Sequence, residues 1–204
     1  MKNVLHLTET WDTGGAENVF ISLVDNLDKT RYKSVVCLLR DGWLKTQLDR
    51  RGVETVVLPQ HRSFDFPWLY QLIKLLRRRS IDVMHTHEFA MNVYGSLLSR
   101  ITGIPIVTTV HGKNYYCEKL RRRLGYRFAA RQSIMVAVSD DLKRFLTESV
   151  RIRSEYLRVV PNGIDLNRYA INDVDNTVRK ELGINAGRPV IGTVGNLFAV
   201  KGQI

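Results

Sequence analysis

Along the chain, short apolar runs alternate with segments whose apolar residues recur every three or four positions. Val4-Leu5-His6-Leu7 reads as a strand. Ala16, Val19, Phe20, Leu23, Val24 and Leu27 then fall at helical spacing and predict one buried face. Ser34 to Leu39 is continuously apolar around Cys37, as a strand covered on both sides requires. Gly42 breaks that run. A short helix over Leu44 to Arg50 and a strand over Glu54 to Leu58 follow. Pro67 starts a helix carrying Leu69, Leu72, Ile73 and Leu76.

The alternation continues. Asp82 to His85 and Ile106 to Val110 are strands, separated by a helix with Tyr94, Leu97, Leu98 and Ile101 that ends at Gly103. Leu120, Leu124 and Phe128 carry the next helix, and Ile134 to Val138 the next strand. Ser139 is placed to cap a helix bearing Leu142, Phe145 and Leu146. Leu157 to Val160 is a strand stopped by Pro161-Asn162-Gly163. Repeated strand–helix units with buried strands predict an α/β fold: a mainly parallel sheet with helices on both faces.

Residues from Asp165 to about Asn176 are polar and without period, and read as a linker before a short helix over Val178 to Leu182. Pro189 to Gly195 reads as the opening strand of a second α/β domain, which 204 residues leave incomplete. The expectation is a truncated chain.

Composition adds three points. A net charge of +11 favours anionic partners: nucleic acid, phosphorylated small molecules or acidic lipid. Nucleic acid is disfavoured, because no recognition motif occurs and the aromatics do not interleave with the basic runs. The two cysteines, Cys37 and Cys117, form no CxxC pair. They fit a reduced compartment and no structural zinc. No leader pattern and no bilayer-length apolar run is expected, so any membrane contact is peripheral.

Candidate chemistry starts at Thr13-Gly14-Gly15-Ala16-Glu17, between the first strand and the first helix. Two glycines permit a sharp bend with exposed N–H groups, and the helix aims its positive end at the turn. A phosphate suits that geometry, and an ordinary tight turn fits it as well. Glu17 either complements the helix dipole or touches substrate. His111 ends a strand at the sheet edge where α/β folds bind ligands. His85 and His87 share a strand face. Their spacing allows a metal pair, but no third ligand is evident, so they are assigned to the cleft lining and no metal is expected. Arg121, Arg122, Arg123, Arg127 and Arg131 form a basic helix face, either solvated or drawn to an anionic membrane or phosphorylated acceptor.

Six landmarks stand in order: the Gly-Gly turn, His85-Thr86-His87, Thr108 to Gly112, Val138-Ser139-Asp140, Val160 to Asp165, and Val194-Gly195-Asn196-Leu197 with Lys201-Gly202. Together they resemble glycosyltransferase family 4, retaining enzymes of the GT-B fold with two facing Rossmann-like domains. The resemblance implies an N-terminal acceptor-side domain over 1–165, a linker and helix over 166–187, and the start of a donor-binding domain over 188–204. It implies a nucleotide-sugar co-substrate without further cofactor, a glycan or lipid-linked acceptor, and a cytoplasmic setting, peripheral to the membrane. Gly14, Gly15 and Lys201 would face the donor diphosphate, and His111 the transferred sugar. Asn196 stands where the family usually has Arg, which removes a charge from leaving-group stabilisation. Asn162 would position the hinge between domains. For a chain this short, a non-catalytic acceptor-binding module or inactive remnant is the alternative.

Overall fold

A computed structural model describes residues 1–62, 65–113, 119–166, 177–185 and 189–193. The chain divides into two compact units, Met1–Ile164 and Asp165–Ile204.

The first unit is built on seven strands: β1 (Lys2–Thr8), β2 (Tyr32–Leu38), β3 (Glu54–Val57), β4 (Val83–His87), β5 (Ile106–Val110), β6 (Ile134–Ala137) and β7 (Leu157–Val159). All pair in parallel, in the order β3-β2-β1-β4-β5-β6-β7. The chain moves outward from β1 in one direction to β3, then returns to β4 on the other side. The loops leaving β1 and β4 therefore part company, and the crevice between them is the usual ligand position in such sheets.

Helices α1 (Gly15–Asn26), α2 (Trp43–Asp49), α3 (Phe66–Arg78), α4 (Phe89–Thr102), α5 (Leu120–Gln132) and α6 (Asp140–Glu148) fill the connections. Strand alternation sorts them onto two faces. Leu5, Leu7, Val35, Cys37 and Met84 pack with Trp68, Leu72, Met91 and Leu98 of α3 and α4. Val36 and Leu38 point the other way, onto Phe20, Ile21 and Val24 of α1 and Leu44 and Leu48 of α2. Val110, Met135 and Ala137 carry a third cluster with α5 and α6. Burial raises the Cys37 thiol to about 12, so it is an inert core group.

Local signals explain the ends. The Asp65 carboxylate accepts the Trp68 N–H at 3.0 Å to open α3, with Pro67 in its first turn. Ser139 Oγ accepts from Leu142 N at 3.1 Å to open α6. Gly103 ends α4 with φ 74°, a left-handed conformation that a Cβ would oppose.

Two segments depart from expectation. In α5 the row Leu120, Leu124 is not buried: these residues are 67% and 52% exposed. Tyr126, Ala129 and Ala130 face the core instead. Gly125 lies against Phe89 and Val93 of α4, so small residues on another stripe let the two helices approach. In the second unit, α7 (Thr177–Glu181) forms as expected, but residues 189–193 form no strand and Ile191 is fully exposed. A strand needs a hydrogen-bonding neighbour, and none is described for this segment.

Candidate active site

Five side chains converge on one sheet face beneath α1. His6 of β1 is the register partner of His85 in β4, and His87 follows two residues on. Phe20 of α1 covers them, with its ring 5.9 Å from His6 and 4.9 Å from His87, edge-on to both. His111 follows β5 and stacks on His87 at 5.2 Å. His85 and His87 share the expected face, yet His87 is only 2% exposed and forms a buried layer, not an open wall.

The hydrogen bonds run outward from this layer. His6 Nε2 pairs with Ser34 Oγ at 3.2 Å, and His85 Nε2 with Thr109 Oγ1 at 2.8 Å. His87 Nδ1 pairs with His111 Nε2 at 2.9 Å. His6 Nδ1, His87 Nε2 and His111 Nδ1 are buried without a partner among the described residues. Burial, reinforced by mutual repulsion, disfavours the charged rings. His6 falls to about 3, His85 to about 4 and His87 well below its ordinary value, while burial alone lowers His111. At neutral pH the layer is uncharged.

Asn92 of α4 fixes the strand edge under His111. Its Oδ1 accepts from Thr86 Oγ1 at 2.8 Å and its Nδ2 donates to the Thr109 carbonyl at 3.0 Å. The side chain is fully buried.

The Gly-Gly turn sits at the same edge, at the N-terminus of α1. Neither glycine adopts a positive φ, and Gly14 is extended, so the turn does not depend on glycine's left-handed range. Gly14 matters for space: the Glu17 carboxylate fills the position a Cβ would take. At Gly15 a Cβ would meet nothing. Gly14 provides no side-chain cap, and the first intrahelical bond runs from Asn18 N to Gly14 O. The earlier N–H groups of α1 thus remain without helical partners. Glu17 is buried against the turn.

Around the turn, Leu44 N donates to the Trp11 carbonyl at 3.1 Å, and the Arg40 guanidinium lies 4.6 Å over the Trp11 ring. A cavity of about 340 Å³ opens here, lined by Trp11, Arg40, His61, Arg62, Ala90 and Tyr94. Beside it, Glu9 keeps its proton nearly to neutral pH: burial first, then the Glu88 carboxylate, raise it to about 7. Glu88 itself takes φ 67°, strained backbone for a residue with a Cβ, at the point where β4 turns into α4.

Sequence reasoning named His85, His87, His111, Gly14, Gly15 and Glu17, and the structure brings these to one edge. It missed His6, Glu9, Glu88 and Asn92. His6 was hidden inside an apolar strand, and its signal is the shared register with His85. Asn162 is exposed in an irregular segment after β7. Two of the arginines of α5 also hold the fold together. Arg123 donates to the Ser149 carbonyl and Arg127 to the Val150 carbonyl, both at 2.8 Å, tying α5 to the end of α6. Arg122 lies over the Phe89 ring, and Arg121 and Arg131 are exposed. Asn196, Lys201 and Cys117 lie outside the described residues.

Comparison with known proteins identifies the family of the chain. The profile of Glycosyltransferase Family 4 matches residues 13–168. The UDP-Gal:alpha-D-GlcNAc-diphosphoundecaprenol alpha-1,3-galactosyltransferase of Escherichia coli is 30% identical over 149 residues, 69% of this chain and 38% of that protein. The putative glycosyltransferase EpsF of Bacillus subtilis (strain 168) is 25% identical over 221 residues, covering 98% of this chain and 55% of EpsF. Anabaena HepE, solved in complex with UDP, superposes with a TM-score of 0.72 at 23% identity, covering 90% of this chain and 50% of that one. The chain thus spans about half the length of these proteins or less.

Proposed function

The chain belongs to glycosyltransferase family 4, and from that premise we propose that it serves transfer of a sugar from a nucleotide-sugar donor to a glycan or lipid-linked acceptor, with retention. It would supply the acceptor-side half of the site. The observation that carries this reading is His87. It bonds His111 on one side and packs against Phe20 of α1 on the other, so His111 and the helix behind the Gly-Gly turn rest on one buried ring.

Cleavage of a sugar–phosphate bond develops negative charge on the departing diphosphate. The free N–H groups at the start of α1, with the helix dipole behind them, suit that charge. His111 is uncharged at working pH and would stand beside the transferred sugar without competing for its developing positive charge. The leaving phosphate would take the acceptor proton on the same face. No metal is assigned to the transfer step. The cavity beside Trp11, with Arg40 and Arg62, suits an acceptor that carries phosphate. The diphosphoundecaprenol-linked chemistry named for the E. coli relative supports that class.

A lipid-linked acceptor brings the protein to the cytoplasmic membrane face. No helix among the described residues is long and apolar enough to cross a membrane. Exposed Leu120 and Leu124, flanked by exposed Arg121 and Arg131, give α5 a surface that suits peripheral attachment.

The test is nucleotide release from a panel of UDP-sugars with a diphosphoundecaprenol-linked acceptor. It is run on this chain alone and on this chain joined to the C-terminal half of a relative such as EpsF. The product anomer is read by NMR. Transfer with retention is expected, and His111→Ala should lower it at least about tenfold with an unchanged circular dichroism spectrum. An inverted product overturns retention, and wild-type turnover in the variant removes His111 from the site. Turnover by neither form supports the non-catalytic module.

A further inference from the structure

We propose that His6, His85 and His87 form a three-imidazole site for a divalent transition metal of the zinc class. One ring nitrogen from each lies within 4.8 Å of the others. Two of the rings come from alternate residues of β4 and the third from the facing position of β1, so one sheet face aims all three inward. Neutral imidazole, with one ring nitrogen free of its proton, is the ligating form.

The hydrogen bonds supply an independent argument. Each ring has an outward partner: Ser34 Oγ for His6, Thr109 Oγ1 for His85, His111 Nε2 for His87. If each donates its N–H there, the remaining nitrogens are His6 Nδ1, His85 Nδ1 and His87 Nε2, each a lone pair. None has a hydrogen-bond partner among the described residues, and the first and last are buried. Metal-ligating histidines characteristically give their other N–H to such an acceptor, which fixes the tautomer. Tetrahedral Zn–N bonds of about 2.0 Å place ligand atoms about 3.3 Å apart, so the three rings, one nitrogen of each within 4.8 Å of the others, must rotate inward to close on the ion. A fourth position would remain for water.

Occupancy would act on His111. Metal on His87 Nε2 keeps the His87 proton on Nδ1, donated to His111 Nε2. The proton of neutral His111 is then confined to Nδ1. The metal would take no part in the transfer step itself, and its test needs no turnover.

Zinc is added to the purified chain, excess is removed by dialysis, and bound metal is counted. X-ray absorption then identifies the ligands. One zinc per chain is expected, with three imidazole nitrogens at about 2.0 Å and no sulfur. Loss of an outer partner already costs about 10–100-fold in affinity, so His6→Gln and His85→Gln should each weaken binding at least about a hundredfold. His61→Gln removes the histidine outside the layer and should leave binding unchanged. Absence of stoichiometric zinc, a sulfur ligand, or full affinity in both His6→Gln and His85→Gln overturns the proposal. The absorption result on unmodified protein decides it even where a variant fails to fold.

Discussion

His87 Nδ1 and His111 Nε2 stand 2.9 Å apart, one nitrogen from a buried strand and one from the rim of the site. Only one proton fits between them, so the protonation of His111 is not independent of the core. The layer below makes this coupling stiff, since His87 also touches His85 at 4.3 Å and Phe20 at 4.9 Å.

Acid stability follows from the same layer. An unfolded histidine binds its proton near 6.5, whereas folded His6 waits until about 3 and folded His85 until about 4. Below 6.5 the unfolded chain therefore holds more protons, and stability falls as pH drops. The loss begins near pH 6.5 and continues through 4. His85 alone contributes about 3 kcal/mol across that window. Urea unfolding between pH 7.5 and about 4 should show this slope, and His85→Gln should flatten it. A flat wild-type profile would falsify the buried neutral layer.

Glu9 works in the opposite direction. Its folded value of about 7 exceeds the ordinary 4.5, so between these limits the folded state holds the extra proton. Stability thus declines as pH rises through the window, by at most about 3 kcal/mol. Glu9→Gln should be more stable than wild type at pH 8 and similar at about pH 4. Equal midpoints at both values would remove Glu9 from the account.

The two glycines of the turn should separate. A side chain at Gly15 meets open space, so Gly15→Val should fold normally. In a full-length form it should slow transfer by about ten- to a hundredfold, because the side chain stands where a diphosphate would approach. Gly14→Ala instead displaces the Glu17 carboxylate and should show first in the thermal midpoint. Unchanged turnover in Gly15→Val argues against the phosphate role.

Asn92→Ala strands the Thr109 carbonyl and the Thr86 hydroxyl in the core. The cost should be about 1–3 kcal/mol, measured by denaturant unfolding. A loss below about 0.5 kcal/mol would show that the strand edge does not need this bracket.

For α5, sedimentation with anionic vesicles should retain the chain at low salt and release it at high salt. Leu124→Glu with Arg131→Glu should abolish retention. Binding that survives both changes would locate the membrane surface elsewhere.

The fold was legible because buried parallel strands and one-sided helices leave different periods, and β5 was bounded to the residue. α5 resisted because its contact with α4 runs through Gly125, Ala129 and Ala130, which carry little hydrophobic signal. The strand expected over Pro189 to Gly195 is described only for 189–193, which have no partner there: β structure is a property of pairs, and periodicity shows one partner only. At the site, His85, His87 and His111 were visible by spacing. His6 was not, because its meaning arises only when β1 is laid beside β4, 79 residues later at the His6–His85 pair (85 − 6). Glu9 and Glu88 likewise gain their character from burial and from each other.

Strand β1 lies inside the sheet although it precedes the other six strands in the chain. It cannot finish its pairing until β4 exists, and that contact closes a long stretch of chain before it returns any energy. A nascent chain therefore carries His6 on an apolar strand with one side unpaired. The imidazole layer cannot form until β4 has docked on β1. Its titration is consequently a clock for folding: the rings lose their ordinary proton affinity at the moment the sheet closes, and a pH jump during refolding should time that closure directly.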